Sequence, residues 1–208
     1  MGVDLPEDAL VARSRDGDLE AFTGLVEAYQ SRIYNLAFRL VGNREDAGDM
    51  AQEVFIRAFM ALKGFKGRAS FSTWLHRVAA NVCLDELRRR RRQPVTSLDA
   101  TYRTSDGDDL ARQVADPAPG PEELAEREEV QRAVQLGIRS LTPAHRLVVV
   151  LRDIQGLTYQ EMSQALGVSV GTVKSRLNRA RESLRHTFAG RELLGRAAVC
   201  SGEGGEKA

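Results

Sequence analysis

Cysteine and histidine are scarce in this chain. Cys83 and Cys200 are its two cysteines, so at most one disulfide can form, and a reduced, cytoplasmic compartment fits best. Of the three histidines, His76 lies two helical turns before Cys83, but two ligands alone do not make a zinc site. The sequence also has no Walker loop and no His-Glu-x-x-His pattern. We therefore expect no metal, no cofactor and no enzymatic activity.

Long apolar runs and strand-like alternation are missing as well. Residues 147–151 form about the longest uninterrupted apolar run, which is too short to cross a bilayer. The N-terminal segment, MGVDLPED, is acidic and lacks the basic and apolar regions of a signal peptide. Aromatic residues make up only 6% of the chain, and nearly every periodic segment has the period of a helix. We expect an all-α protein without membrane insertion.

The apolar residues that are present suffice for two small cores, since 42% of the 208 residues are hydrophobic. The helical patterns fall into two blocks, which we interpret as small helical domains of residues 1–92 and 122–190. Between them, residues 93–121 contain four prolines, an excess of aspartate and little periodicity, which predicts a flexible acidic linker. Residues 191–208 are expected to be a disordered tail.

The first block reads as a series of helices with clear ends. Its predicted segments are a helix within 5–17, one from Asp18 to Gly42, one that Asn43 caps and that ends near Leu62, a loop over 63–70, and a helix over 72–92. The last of these helices ends in five successive arginines. Together they predict a compact domain of roughly ninety residues.

The second block begins with a predicted helix over Glu122–Arg139. Its candidate buried residues are Leu124, Val130, Val134, Leu136 and Ile138. Thr142 and Pro143 then form a cap followed by proline at the first helical position. The helix that they begin should end at Gly156, with its apolar positions at Leu147, Val148, Leu151 and Ile154.

The segment TYQEMSQALGVSVGTVKSRLNRARESLR carries the most informative pattern. Thr158 and Glu161 have the spacing of a capping box, Gly167 is placed to end that helix in a left-handed conformation, and Ser169 can cap the next helix. The second helix has an apolar stripe at Val173, Leu177, Ala180, Leu184 and Phe188. This is the helix-turn-helix geometry, whose second helix enters the major groove of DNA. The alternative is an ordinary amphipathic pair with a solvated basic face.

The net charge of +1 hides a strong segregation of charge. Residues 66–92 carry eight basic and two acidic residues, a net charge of +6, and residues 170–196 carry seven basic and two acidic residues, a net charge of +5. Residues 93–121 carry five aspartates and two arginines, a net charge of −3. Two basic segments joined by an acidic one indicate two separate contacts with nucleic acid. Because the total is nearly neutral, the chain alone should bind DNA weakly.

From about residue 8 to residue 188, the chain resembles a bacterial RNA polymerase sigma factor of the extracytoplasmic-function (ECF) type. Three motifs carry the resemblance in the expected order: DAGDMAQEVFIRAF, FKGRASFSTWLHRVAANVCLDELRRRRR and LTPAHRLVVVLRDIQGLTYQEMSQALGVSVGTVKSRLNRARESLR. They resemble the polymerase-binding helix, the segment that melts the promoter and reads its minus-ten element, and the domain that reads the minus-thirty-five element. The resemblance implies a transcription initiation factor that binds core polymerase, reads both elements and helps to melt promoter DNA.

Asp46, Asp49 and Glu53 fall at i, i+3 and i+7, so their carboxylates share one face of a helix. By resemblance, this face docks on a coiled coil of the largest polymerase subunit, where the acidic groups would meet cations. The residues predicted to bind polymerase are Asp46, Asp49, Gln52, Glu53 and Phe55. The alternative is a plain solvated acidic face, and a metal site is disfavoured because no further ligand motif completes it.

Reading the minus-ten element requires opened bases, and therefore cations along a phosphate track and surfaces for unstacked bases. The residues predicted for this role are Lys66, Arg68, Ser70, Phe71, Trp74, Arg77, Asn81 and Arg88. Phe71 and Trp74 have an alternative role, which is to anchor the loop in the core. Asn81 has the alternative of being a solvated helix residue.

Duplex recognition is predicted for the start of the second helix of the helix-turn-helix, where base edges would be met. The residues predicted there are Thr172, Lys174, Ser175 and Arg176, while Arg179 and Arg181 lie further along and should grip phosphates. The implied partners are core RNA polymerase and promoter DNA. An anti-sigma factor is common in the family, but no residue here identifies one. The alternative function is a free-standing helix-turn-helix regulator that works without polymerase.

Overall fold

A computed structural model describes the backbone of residues 5–92 and 121–201, and every regular element in these two ranges is helical. The all-α prediction is therefore confirmed for this part of the chain. In chain order the helices are α1 (Glu7–Arg15), α2 (Leu19–Val41), α3 (Arg44–Ala61), α4 (Phe71–Arg92), α5 (Pro121–Ser140), α6 (Pro143–Val149), α7 (Tyr159–Leu166) and α8 (Val170–Ser201). A 3-10 turn at Leu62–Gly64 follows α3, and a π-helical turn at Val150–Ile154 follows α6.

Local caps decide where the helices of the first half begin and end. Asp18 caps α2 by accepting a hydrogen bond from a backbone N–H three residues on, at 3.0 Å. Gly42 ends α2 in the left-handed region with φ of 76°. Asn43 then caps α3, as predicted, by accepting hydrogen bonds from the N–H groups of Glu45 and Asp46. Gly42 and Asn43 thus form a turn that reverses the direction of the chain, so that α3 packs against α2.

The helix that Thr142 caps differs from the prediction in its second half. Thr142 and Pro143 begin α6 as expected, and Leu147, Val148 and Leu151 are buried. Past Val149, however, the backbone widens into a π-helical turn, and Ile154 is 40% exposed instead of buried. The wider turn changes the angle between successive side chains, so the 3.6-residue period no longer predicts which of them faces the core.

The prediction that α5 buries most of its apolar residues was wrong. Val130, Val134 and Leu136 are 62%, 37% and 49% exposed, whereas Ile138 is 2% exposed. The side chain of Leu124 lies outside the described part of the structure. Helix α5 is held mainly through its C-terminal end, where α2, α6 and α8 contact it. There Gly137 lets the ring of Phe188 approach closely, since a Cβ at this position would lie 2.7 Å from the ring.

Helix α8 extends into the segment predicted to be a tail. Helix α8 continues to Ser201, well past residue 190, where the helical domain was predicted to end. The segment RELLGRAAVC consists mostly of good helix formers and contains no proline, so it can extend the helix that precedes it. Residues 202–208 lie outside the described part of the chain.

The two halves of the described chain share one buried cluster. Helix α7 lies against α4, and helices α5 and α6 lie against α2. Arg146 of α6 donates a hydrogen bond to the carbonyl oxygen of Leu40 near the end of α2. The sequence predicted two domains but gave no sign that they pack together.

Candidate polymerase and nucleic-acid interfaces

The acidic face of α3 is exposed, as its spacing predicted. Asp49 and Gln52 point to solvent, and Asp49 makes no hydrogen bond or ion pair within the described ranges. Asp46 accepts a hydrogen bond from Arg90 at 2.7 Å, and Glu53 accepts one from Arg57 at 2.6 Å. Phe55 is half-buried at the edge of this face. The structure therefore places all five predicted residues on or beside one surface, with Asp49 as its unpaired carboxylate.

Arg90 is a residue that sequence reasoning treated only as part of an arginine run. Its guanidinium reaches from α4 to Asp46 on α3 and also binds Glu86 at 2.8 Å, which raises the pKa of Arg90 further above its usual value. The hydrogen bonds from Arg89 and Arg90 lower the pKa of Glu86. The basic end of α4 is thus tied to the acidic helix α3 by a link that spans 44 residues of sequence.

Four residues predicted for the minus-ten element line one side of α4. Trp74, Arg77, Asn81 and Arg88 are spaced at i, i+3, i+7 and i+14, so they share a helix face. Arg77, Asn81 and Arg88 are exposed, and Arg88 pairs with Asp85 at 3.1 Å. Lys66, Arg68 and Ser70 are exposed in the loop that precedes α4, where Ser70 caps the helix through the N–H of Thr73.

Phe71 and Trp74 belong to an aromatic cluster under this loop. Phe71 is 4% exposed, and its ring centroid lies 5.7 Å from that of Trp74 and 5.5 Å from that of Tyr29. Phe65 completes the cluster, 5.2 Å from Trp74. This placement favours the alternative in which Phe71 anchors the loop, because a buried ring offers no face to an unstacked base. Trp74 is only half-buried and keeps part of its surface at the helix face.

A cleft of about 420 Å³ lies between this loop and α1. It is lined by Glu7, Asp8, Val11, Phe65, Gly67, Arg68, Ala69, Ser70 and Phe71. One wall is fixed by Tyr29, whose hydroxyl donates to Glu7 at 2.5 Å. Burial and this hydrogen bond raise the pKa of Tyr29 to about 12. The sequence predicted the basic loop but not the acidic wall that α1 adds to it.

The helix-turn-helix forms as predicted. Thr158 and Glu161 make a reciprocal capping box, and the hydroxyl of Thr158 lowers the pKa of Glu161. Helix α7 ends at Gly167 with φ of 64°, and Ser169 caps α8 by accepting a hydrogen bond from the N–H of Thr172 at 3.2 Å. Ser163 closes the turn by donating to the carbonyl oxygen of Val168 at 2.6 Å.

The predicted duplex-reading residues lie along the outer side of α8. Lys174, Ser175, Arg179 and Arg181 are exposed, while Thr172 and Arg176 are half-buried. The buried stripe of the helix is Val173, Leu177 and Ala180, in agreement with the prediction, and Leu184 and Phe188 are half-buried. The cationic face is therefore set by the same packing that buries the opposite stripe.

Two of these cations have partners that the sequence did not reveal. Arg181 makes two hydrogen bonds to the carboxylate of Asp153 in the π-helical turn. The ammonium of Lys174 lies 5.5 Å from the ring centre of Tyr159, which also receives the guanidinium of Arg152 at 4.9 Å. Tyr159 is 15 residues from Lys174 and Asp153 is 28 residues from Arg181 in the sequence, so no local spacing could have indicated these partners.

His76 is buried where α4 meets the second half of the chain. It is 2% exposed, its Nδ1 bonds to the carbonyl oxygen of Ser72 at 2.7 Å, and its Nε2 has no hydrogen-bond partner in the described ranges. Burial lowers the pKa of His76. Its position is structural, since it faces the interior instead of either surface predicted to bind DNA.

We expect the free energy of unfolding to fall as the pH decreases from about 7 to 5.5. The unfolded chain binds a proton at this histidine near pH 6.5, whereas the folded chain binds it only at lower pH, so acid favours unfolding. Denaturant unfolding at a series of pH values measures how steeply the free energy of unfolding depends on pH, and this dependence should be weaker in a His76→Gln variant. If it were equal in the two proteins, a group other than His76 would be responsible.

No group of three or more His, Cys, Asp or Glu side chains is placed to hold a metal within the described ranges. None of the helices described here is long and apolar enough to span a membrane. Cys83 is fully buried, and burial raises the pKa of its thiol to about 12, so it behaves as an apolar core residue.

Comparison with known proteins assigns each half of the chain to a protein family. Residues 25–93 match the family model described as Sigma-70 region 2, and residues 131–184 match that of Sigma-70, region 4. The ECF RNA polymerase sigma factor SigW of Bacillus subtilis is 36% identical over 175 residues, which cover 84% of this chain and 92% of SigW. The ECF RNA polymerase sigma-E factor of Escherichia coli is 36% identical over 188 residues, covering 88% of this chain and 95% of that protein. Among solved structures, CnrH in complex with the cytosolic domain of CnrY superimposes with a TM-score of 0.64 at 26% identity, covering 88% of this chain and 97% of CnrH.

A helical region 2 followed by a helix-turn-helix region 4 defines a factor of the sigma-70 class, which is not an enzyme. The relatives, matched over most of their length, narrow the class further. The chain belongs to the ECF RNA polymerase sigma factors, and it directs RNA polymerase to promoters. This excludes the free-standing regulator considered from the sequence.

Proposed function

We propose that three surfaces of the chain each perform one step of transcription initiation. The exposed face of α3 binds core polymerase, the loop before α4 together with the outer face of α4 engages the opened minus-ten element, and α8 reads the minus-thirty-five element. The observation that supports this division is that each surface has exposed polar or charged residues of its predicted set: Asp49 and Gln52 on α3, Lys66, Arg68, Arg77 and Arg88 at the loop and α4, and Lys174, Ser175, Arg179 and Arg181 on α8. In this proposal, residues 1–92 and 122–190 are the two functional domains, and residues 93–121 connect them.

The polymerase-binding surface is proposed on the charge and accessibility of α3. Asp49 and Gln52 are exposed, and no other described helix covers them. Asp46 and Glu53 flank them with carboxylates that arginines of this chain already hold in place. A cationic partner surface could pair with Asp49 without displacing any internal bond, so this residue should contribute most to docking.

The minus-ten surface is proposed on the combination of cations and a cleft. Lys66, Arg68 and Arg77 supply a phosphate track, and the cleft under the loop is large enough to hold a nucleobase. Trp74 offers a partly exposed ring beside this track. Melting is favoured because the cleft and the Trp74 ring can take only an unpaired base, whereas the phosphate contacts suit both forms, so the surface binds opened DNA better than duplex.

The minus-thirty-five surface is proposed on α8. Its N-terminal turns carry Lys174, Ser175 and Arg176, which can reach base edges in the major groove. Arg179 and Arg181 lie one to two turns further along, where the helix leaves the groove and phosphates are nearer. Tyr159 supports this surface by holding Lys174 over its ring.

We further propose a cytoplasmic location and an anti-sigma partner. Core polymerase and promoter DNA, the two molecules that this chain must contact, are both cytoplasmic in bacteria. CnrH, which shares the fold across both halves, is seen in complex with the cytosolic domain of a second protein, CnrY. A partner of this kind would act by competing for the polymerase-binding or promoter-reading surfaces.

The test is run-off transcription with purified core polymerase on a pool of genomic fragments. We expect transcripts that require the chain and whose start sites share two upstream elements. If Lys66 and Arg68 assist opening, replacing them should reduce transcription less on templates that are already melted at the minus-ten element than on duplex templates. Tight duplex binding by the chain alone, without any chain-dependent transcript, would contradict the proposal.

A further inference from the structure

Arg181 on α8 is held by a carboxylate that lies outside the helix-turn-helix. Its Nε donates a hydrogen bond to Oδ2 of Asp153 at 3.2 Å, and its Nη2 donates to Oδ1 of the same carboxylate. Asp153 belongs to the π-helical turn that precedes α7. The exposed fraction is 45% for the Arg181 side chain and 34% for the Asp153 side chain. Two hydrogen bonds to one carboxylate fix the plane of a guanidinium as well as its position.

The turn that carries Asp153 is itself anchored. Val150 and Leu151 in the same turn are fully buried. Arg152 donates to the carbonyl oxygen of Leu157 at 2.7 Å, which ties the turn to the segment that follows it. Because the turn is fixed on both sides of Asp153, its carboxylate holds Arg181 in one orientation.

Arg181 shares a helix face with Lys174, which is proposed to read base edges. The two residues are seven positions apart, so they lie about 10 Å from each other along one side of α8. The major groove is about 12 Å wide, so a helix that places Lys174 over the bases brings Arg181 to the phosphates at the edge of the groove. Lys174 is also held from outside α8, by the ring of Tyr159. Both cations of this face are therefore oriented before DNA binds.

The bonds to Asp153 leave part of the Arg181 guanidinium available. An arginine side chain has five N–H donors, and Asp153 accepts from two of them. The other three can donate to a phosphate, but only to one that lies where the held guanidinium points. A phosphate occupies that place when α8 is seated in one register on the duplex. A free arginine would instead reach a phosphate in any register, as in sequence-independent binding.

We propose that Asp153 is a specificity-determining residue for the minus-thirty-five element and that it acts by positioning Arg181. This inference rests on the proposed reading of that element by α8. The held guanidinium adds a phosphate contact in the complex with the preferred element and little in complexes with other sequences. Asp153 thereby lowers binding to unrelated DNA more than binding to the preferred element, which raises the ratio of the two affinities.

The experiment compares core polymerase carrying the unmodified chain with core polymerase carrying Asp153→Asn. Each is bound to a promoter recovered by run-off transcription and to the same promoter with a scrambled minus-thirty-five element. We expect Asp153→Asn to bind the scrambled fragment roughly three- to ten-fold more tightly, with a salt dependence steeper by about one counterion, because the released arginine engages one more phosphate. Binding to the intact promoter should change little. Filter binding at several salt concentrations measures both affinities.

Two further variants separate positioning from support of the fold. Asp153→Asn combined with Arg181→Ala should lose the gain on the scrambled fragment, because the cation that Asp153 would release is gone. Glu129→Gln removes one negative charge from an exposed position on α5, and as the matched control it should leave both affinities unchanged. If Asp153 only supported the fold, Asp153→Asn would instead weaken binding to both fragments.

Three results would overturn the proposal. They are an unchanged ratio of the two affinities in Asp153→Asn, weaker binding of that variant to both fragments, and a gain that persists without Arg181. Any of these, with strong discrimination by the unmodified chain, would refute the inference and leave the proposed function standing. If scrambling the element had no effect on the unmodified chain, α8 would not read it, and the proposed role of this helix would fail together with the inference.

Discussion

Replacing Asp49 by lysine is expected to weaken binding to core polymerase at least ten-fold. Asp49 is exposed and has no partner in the described ranges, so reversing its charge puts a cation against the cations proposed on the polymerase. The helix itself should not suffer, because a lysine here stands four residues from both Glu45 and Glu53. Fluorescence anisotropy of the labelled chain, titrated with core polymerase, measures the affinity.

Glu27→Lys provides the matched control for this measurement. Glu27 is an exposed acidic residue on α2, so the change in net charge is the same while the α3 face stays intact. If both variants lose affinity equally, the loss reflects overall charge, and the proposed docking face is wrong. A loss confined to Asp49→Lys would assign the face.

Arg176→Ala is expected to remove sequence discrimination at the minus-thirty-five element. A bidentate contact to a base contributes about 1–3 kcal/mol of discrimination, so binding to the preferred element should fall roughly 5- to 150-fold while binding to altered elements changes little. Arg179→Ala should instead weaken binding to all elements alike and reduce the salt dependence by about one counterion. Transcription from a set of upstream-element variants, at several salt concentrations, measures both effects.

Arg176 and Arg179 are compared because, unlike Arg181, neither makes a hydrogen bond or an ion pair within the described ranges. The guanidinium of Arg181 is held by Asp153, so its removal would also release a carboxylate near the DNA. Asn178→Ala, an exposed change on the same helix, controls for general effects on α8. If Arg176→Ala and Arg179→Ala behaved identically on every element, the division between base reading and phosphate contact would be refuted.

Features that depend on neighbours three or four residues away were predictable from the sequence. Asn43, Thr158 and Gly167 were assigned as helix ends from their type and spacing, and all three have that role. The same holds for the acidic face of α3 and the cationic face of α8, because a helix fixes which residues share a side. These short-range rules therefore gave most of the fold and most of the candidate site residues.

Features that depend on contacts between distant segments were not predictable. Asp46 and Arg90 are 44 residues apart, and Asp153 and Arg181 are 28 apart, so neither pair has a spacing that signals it. The exposure of Val130 and Val134 depends on which end of α5 is packed, which helical periodicity cannot tell. The burial of Phe71 depends in the same way on Tyr29 and Trp74 closing around it.

The contact between the two halves of the chain depends partly on main-chain chemistry. At the C-terminal end of α2, Gln135 of α5 donates to the carbonyl oxygens of Phe38 and Arg39, and Arg146 of α6 donates to that of Leu40. These carbonyl groups persist whatever side chains occupy the three positions, so substitutions there cannot delete the acceptors. A single change at Gln135 or Arg146 does remove a donor. The contact between the halves can therefore change through substitutions in region 4 alone, while the helix proposed to bind polymerase stays unchanged.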